Sequence, residues 1–177
     1  MTLTSSVTSS TTKNPFATGS VNFTDNGGSI GTAQLVSGTA SIKLSLLAVG
    51  THPIVASYSG DSGFAASESS TYTLVIATAP SSTIMTATPN PATAGANVTF
   101  KTVVTGPRQP TGSVVFKEGA NSLSSAIAVD FEGTASFITS SLAVGTHTIV
   151  AEYSGDPNLN ASTSAPVQVS IVAKGGS

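Results

Sequence analysis

Apolar positions along the chain alternate with polar ones. Ile42, Leu44 and Leu46 are separated by Ser41, Lys43 and Ser45, and Ile54, Ala56 and Tyr58 keep the same period of two. Tyr72, Leu74 and Ile76 make a third run; Ile149, Ala151 and Tyr153, then Val167, Val169 and Ile171, make two more. Side chains of an extended chain point to opposite faces in turn, so each run predicts a strand with one buried face, and its apolar set is the expected core. Turn-forming clusters fall between the runs: Asp25-Asn26-Gly27-Gly28, Ser37-Gly38, Val49-Gly50, Ser59-Gly60-Asp61, Glu132-Gly133 and Ser154-Gly155-Asp156. No stretch sustains a helical period with caps, and the abundance of Thr and Val favours strands. Short strands punctuated this often predict an all-β sandwich architecture.

The pattern occurs twice. LAVGTHPIVASYSGDSGFAAS, from Leu47, returns as LAVGTHTIVAEYSGDPNLNAS from Leu142, an offset of 95, and GTASI from Gly38 returns as GTASF from Gly133 at the same offset. TGSVNF from Thr18 returns as TGSVVF from Thr111 at an offset of 93, so the copies differ by two residues in between, a difference that a loop absorbs. MTLTSSVT at the start matches VTFKTVVT from Val98. The stretch Ala77-Thr78-Ala79-Pro80-Ser81-Ser82 separates the copies and puts the boundary near Pro80, with repeat one expected over residues 1–79 and repeat two over 80–177. Pro89-Asn90-Pro91 cannot sit in a central strand, because proline donates no ladder hydrogen bond; it is expected to kink an edge strand where that strand changes sheets.

Copy two carries Ile84 to Asn97 ahead of its VTF, and copy one has no counterpart ahead of Met1-Thr2-Leu3. Repeat one is therefore expected to be one N-terminal strand short. Its bare edges would run from Thr2 to Thr8 and from Tyr72 to Ile76, with Thr2, Leu3, Val7, Tyr72, Leu74 and Ile76 as a strand-acceptor edge. Two explanations stand side by side: a boundary drawn mid-domain, or a strand donated by a neighbouring chain to build a dimer or filament.

Composition narrows the function. Charged residues make up 8% of the chain, against roughly 25% in typical soluble domains, so hydroxyls must solvate much of the surface. The net charge of -2 and the absence of any Lys/Arg cluster exclude the electrostatic footprint of nucleic-acid binding. No apolar run reaches the roughly 18 residues of a membrane span, so no membrane insertion is expected. Without cysteine there is no disulfide, thiolate metal site or Cys nucleophile. Few lysines and many Ser and Thr fit a secreted or cell-surface protein.

The succession PxPAxAGxxVTF, TGSVxF, GTASF and SLAVGTHTIVAEYSGDxN, present in most of its parts twice, resembles the bacterial Ig-like repeats of the group 3 type. The resemblance implies two tandem immunoglobulin-like β-sandwiches. It also implies the work such repeats do in large exported proteins, as spacers, stalks and adhesive segments.

Candidate chemistry is sparse. His52 and His147 occupy the same position of the two copies and lack a repeated nucleophile and carboxylate, which reads as structure. Asp61 and Asp156 close the Ser-Gly-Asp turns, where a carboxylate accepts backbone N–H bonds; eight acidic residues scattered singly do not make a calcium site. Tyr58 and Tyr153, just ahead of these turns, are expected to stitch a strand to a loop through a buried hydroxyl. Lys43 and Lys101 lie on the outward phase and Lys117 follows the last inward residue of its strand, so no isopeptide crosslink is expected. The sequence therefore predicts no enzyme, no cofactor and no metal. Its expected partners are neighbouring Ig-like repeats or like chains. The alternative is a module that binds a glycan or host surface, which would need exposed aromatic side chains, whereas most of the 3 Tyr and 7 Phe fit core phases and Trp is absent.

Overall fold

In the computed structural model, which describes residues 1–8, 16–45 and 47–175, every regular element is a strand. The chain divides into two compact units, Met1–Ala77 and Thr78–Ser177. The division falls two residues before the expected one. Thr78 and Ala79 bond to the second unit: the Ala79 amide donates to the Asn158 carbonyl (2.8 Å), the Asn160 amide donates to the Ala79 carbonyl (2.8 Å), and the Thr78 hydroxyl donates to Asn160 Oδ1.

The first unit holds β1 (Thr2–Ser6), β2 (Ser20–Asp25), β3 (Gly28–Gln34), β4 (Thr39–Lys43), β5 (Gly50–Tyr58), β6 (Ser67–Glu68) and β7 (Tyr72–Ile76). β1 and β4 form one sheet; β3-β2-β5-β6, with β7 also on β5, form the other. The hairpin β2–β3 turns on Asn26 and Gly27, both with positive φ (47° and 81°), the geometry whose twist suits a two-residue hairpin loop.

The second unit holds β8 (Ser82–Thr88), β9 (Ala92–Thr93), β10 (Val98–Thr105), β11 (Ser113–Glu118), β12 (Asn121–Ser122), β13 (Ile127–Ala128), β14 (Thr134–Thr139), β15 (Gly145–Tyr153), β16 (Ser162–Thr163) and β17 (Val167–Val172). One sheet is β14-β10-β8; the other is β12-β11-β15-β17-β9, with β13 on β11 and β16 on β15. The two-residue difference between the copies lies where the continuous β3 of the first unit is replaced by the interrupted pair β12 and β13. Pro89-Asn90-Pro91 joins β8, antiparallel to β10, to β9, parallel to β17, so the chain changes sheets at the prolines.

Inward positions of both sheets meet in each unit. In the second, Phe100, Phe116 and Phe137 pack with ring centroids 5.7 to 6.3 Å apart, among fully buried Val98, Val114 and Ile149. In the first, Val21, Phe23, Ala40 and Tyr58 form the buried cluster, with Leu3 and Ile42 packed against it. The alternation survives in both units, but burial differs between equivalent positions. Phe100, Ala151 and Val169 are 0% exposed, whereas their counterparts Leu3, Ala56 and Leu74 are only half-buried. Tyr72, expected in the core, is 62% exposed. β8 and β9 supply the cover in the second unit, and the described residues of the first place no strand there. Leu44, Ile76 and Val167 are half-buried too, and Leu46 lies outside the described residues.

Candidate functional site

Two polar constructions recur in both units. The first joins the end of β5 or β15 to the loop ahead of β2 or β11. Asp61 Oδ2 accepts from the Thr18 amide (2.7 Å) and hydroxyl (2.8 Å), while Oδ1 accepts from the amides of Gly63 (2.7 Å) and Phe64 (2.8 Å). Asp156 repeats this, with the Thr111 amide (2.8 Å) and hydroxyl (3.1 Å) on Oδ2 and the amides of Asn158 (2.7 Å) and Leu159 (2.8 Å) on Oδ1. The Tyr58 hydroxyl donates to the Thr18 carbonyl (2.8 Å). The Tyr153 hydroxyl is held between the Thr111 carbonyl and Asp156 Oδ2 (2.9 Å from the latter). One carboxylate thus fastens a turn to a neighbouring loop, and the tyrosine carries that loop into the core.

Ionisation follows from these bonds. The Thr18 and Gly63 amides and the Thr18 hydroxyl, with the Phe64 amide, hold the Asp61 carboxyl far below its ordinary value. Burial pushes Asp156 upward, but the Thr111, Asn158 and Leu159 amides and the Tyr153 hydroxyl outweigh it and bring the carboxyl down to about 2. Burial, and then the Asp156 carboxylate, push Tyr153 up to about 12; Tyr58 is raised for the same reasons, with Asp61 as its acidic neighbour.

Glycine makes the approach possible. A Cβ on Gly112, where φ is +85°, would lie 2.5 Å from the Gly155 carbonyl oxygen, and one on Gly155, where φ is +75°, would lie 2.8 Å from the Ala161 amide nitrogen. Thr18, Thr111 and these glycines were not singled out from the sequence as members of the Tyr–Asp construction. The signal was the repetition of TGS together with YSGD.

The second construction is a histidine clasp. His52 Nδ1 lies 2.6 Å from Asp25 Oδ2 and Nε2 lies 3.1 Å from the Ala48 carbonyl; His147 Nδ1 lies 2.9 Å from Glu118 Oε1 and Nε2 lies 2.9 Å from the Ala143 carbonyl. A carbonyl accepts only from an N–H and an ionised carboxylate does the same, so both nitrogens are called on to donate and the imidazolium is favoured. The Asp25 and Ala48 acceptors raise His52 above 6.5, and the Ala143 carbonyl and Glu118 raise His147 against its burial. Both nitrogens of each ring are thus engaged with groups of their own unit. Among the described residues no group of three His, Asp or Glu gathers where a metal could sit, and no buried side-chain polar atom lacks a hydrogen-bond partner. Lys43 and Lys101 are exposed, and Lys117 pairs with Glu152 (2.6 Å) at the surface.

The remaining site is the edge of the first unit. β1 pairs with β4 alone and β7 with β5 alone among the described residues. Between them runs a groove of about 430 Å³ lined by Leu3, Ser5, Phe23, Ile54, Ala56 and Tyr72, continued by a smaller recess of about 210 Å³ past Val7 and Tyr58. Of the residues expected on this edge, Thr2, Leu3 and Tyr72 line the groove, Val7 lines its extension, and Leu74 and Ile76 lie on β7 without lining either. Among the described residues three aromatic rings are exposed, those of Phe16, Tyr72 and Phe131.

Comparison with curated proteins gives no match. Among solved structures, the chain is similar to the fibronectin(III)-like modules of CbhA from Clostridium thermocellum, with 19% identity, a TM-score of 0.42, 98% of this chain covered and 85% of that one. It is also similar to a putative membrane anchored protein from Corynebacterium diphtheriae, with 17% identity, a TM-score of 0.45 and 98% of this chain covered, although it spans only 48% of that one. The N-terminal four Ig domains of Dscam1 isoform 8.4 give 15% identity and a TM-score of 0.36 over 98% of this chain and 41% of that one. The profile of one family matches residues 1–77 and again residues 85–172, in agreement with the internal repeat and the two all-β units. The chain belongs to the bacterial Ig-like domain (group 3) family, of which it carries two copies.

Proposed function

We propose that the chain is a non-catalytic spacer or stalk segment of a secreted or surface-exposed bacterial protein. The observation that carries this reading is the fate of its polar groups. The Tyr–Asp–Thr and His–carboxylate clusters each occur once per repeat and spend their hydrogen bonds on holding a loop. A site that acts on a ligand leaves donors or acceptors aimed into a cavity, and these clusters aim theirs at one another and at their own backbone. Family membership supports the same reading. The test is replacement of residues 1–177 in the parent protein by two unrelated Ig-like repeats of similar length. Export, surface protease accessibility and the parent's activity are expected to persist, and loss of a specific binding activity overturns the spacer reading.

One observation favours the alternative of a glycan-binding or host-surface-binding module. Phe131, 85% exposed, borders a recess of about 350 Å³ with Arg108, Gln109 and Glu132, an aromatic face beside polar groups of the kind that holds a sugar ring. A glycan array probed with the wild-type chain and with Phe131→Ala decides it: signals lost in the variant support the alternative, and no signal above background rejects it.

A further inference from the structure

We propose that His52 and His147 are proton-operated latches: each imidazolium closes the loop that enters β5 or β15, and loss of one proton releases that loop. The device adds a response to pH that the spacer reading does not contain.

In the second unit His147, on β15, lies between Glu118, the last residue of β11, and Ala143, in the loop between β14 and β15. Its Nδ1 is 2.9 Å from Glu118 Oε1 and 3.2 Å from Oε2, and its Nε2 is 2.9 Å from the Ala143 carbonyl oxygen. A backbone carbonyl has no proton to give, and an ionised carboxylate has none either. Both contacts are therefore hydrogen bonds only while the ring carries two protons. The first unit builds the same arrangement from His52, Asp25 and Ala48, with a carboxylate one methylene shorter.

Loss of one proton breaks one of the two bonds, and the chemistry of the acceptors decides which. A bond to a carboxylate is stronger than one to a neutral carbonyl, so the remaining proton stays on Nδ1. The Nε2 lone pair then faces the Ala143 oxygen across 2.9 Å, two acceptors with no proton between them, and the loop moves away. Leu142, on one side of that carbonyl, is half-buried against the core of the second unit, and Val144, on the other, is 60% exposed. The Ala143 carbonyl thus marks where the loop leaves the core, and the packing of Leu142 is what release loosens.

The groups around each ring leave its carboxylate as the controlling charge. The strands opposite pair Leu74 of β7 with His52 and Val169 of β17 with His147. Hairpin residues 26–28 and 119–121 and loop residues 47–49 and 142–144 carry no titratable side chain, and Lys117, beside Glu118, pairs with Glu152. Asp25 and then the Ala48 carbonyl raise His52, while the Ala143 carbonyl and Glu118 raise His147 against its burial. The latches are accordingly closed below 6.5 and open as pH rises through the folded value of each ring.

The experiment is a pH titration of the isotope-labelled full chain by NMR. The His147 ring, the Ala143 carbonyl carbon and the Leu142 methyl groups are expected to titrate together, with a midpoint above 6.5 and with the neutral ring as the Nδ1–H tautomer; His52 and the Ala48 carbonyl are expected to do the same. Glu118→Gln keeps an acceptor for Nδ1 and removes the charge, so it is expected to lower the midpoint of the second unit by more than about half a pH unit and to leave that of the first in place. An Ala143 carbonyl or Leu142 that ignores the titration of the ring, a neutral ring protonated on Nε2, or a midpoint unmoved by Glu118→Gln overturns the latch. None of those outcomes touches the spacer reading, which the replacement experiment tests separately.

Discussion

Replacing Tyr153 by alanine removes the side chain on which most of the second unit's loop attachment converges. Its residue is 2% exposed and packs in the cluster around Phe116 and Ile149, so the truncation leaves a cavity of the kind that costs about 3–5 kcal/mol. The hydroxyl also satisfies the Thr111 carbonyl, and stranding that acceptor adds about 1 kcal/mol. The expected loss is about 4–6 kcal/mol. Tyr153→Phe keeps the ring and loses only the hydrogen bonds, for an expected loss of about 1–1.5 kcal/mol. Because the chain divides into two units, urea melts are expected to resolve two transitions, with the Tyr153 variants moving one and Tyr58→Ala the other. Tyr58→Ala is expected to cost about 3 kcal/mol, at the low end of the range for aromatic truncations, because its surroundings in the first unit are less tightly buried. A loss under about 1 kcal/mol for Tyr153→Ala, or a Tyr153→Phe loss equal to it, would refute the reasoning.

The other constructions give expectations of definite sign. Asp156 is bound by donors that lower its carboxyl to about 2, so the stability it contributes is present above its ordinary 3.8 and is lost as pH falls toward 2. Asp156→Asn is expected to weaken the second unit by about 2 kcal/mol at neutral pH and to flatten that acid limb, as read from melts at pH 2 to 5. The raised histidines behave oppositely: the stability they contribute is full below 6.5 and is lost as pH rises through their folded values. His147→Gln and His52→Gln are each expected to reduce the fall in urea midpoint between pH 5.5 and 8.5, and an unchanged fall would contradict the clasp geometry. Gly112→Ala puts a Cβ against the Gly155 carbonyl at positive φ and is expected to cost about 3 kcal/mol in the same melts.

The strands were legible because alternation is a local property, and Ile54, Ala56 and Tyr58 display it whatever lies opposite. The sheet change at Pro89-Asn90-Pro91 was legible for a chemical reason, since a proline has no N–H to give to a ladder. Depth of burial was not legible. Tyr72 has the phase of a core residue and the exposure of a surface one, because phase is set within a strand and cover is supplied by its neighbours. Phe131 sits in a turn outside any alternating run, so pattern alone did not mark it as an exposed ring. Asp61 and Asp156 are legible from their turns, but Thr18 and Thr111 lie 43 and 45 residues from them in sequence, and only folding brings those hydroxyls and amides to the carboxylates.

The central claim is that one architecture occurs twice, with the strand edge covered by β8 in the second copy and, among the described residues, paired to no strand in the first. Hydrogen exchange of the uncomplexed monomer tests it most directly at Thr4 and Ser6 against their counterparts Lys101 and Val103, whose edge of β10 faces β8. The account predicts that, after correction for intrinsic rates, Lys101 and Val103 are protected at least about a hundredfold more strongly than Thr4 and Ser6. Equal protection at the two pairs in the monomer would contradict it.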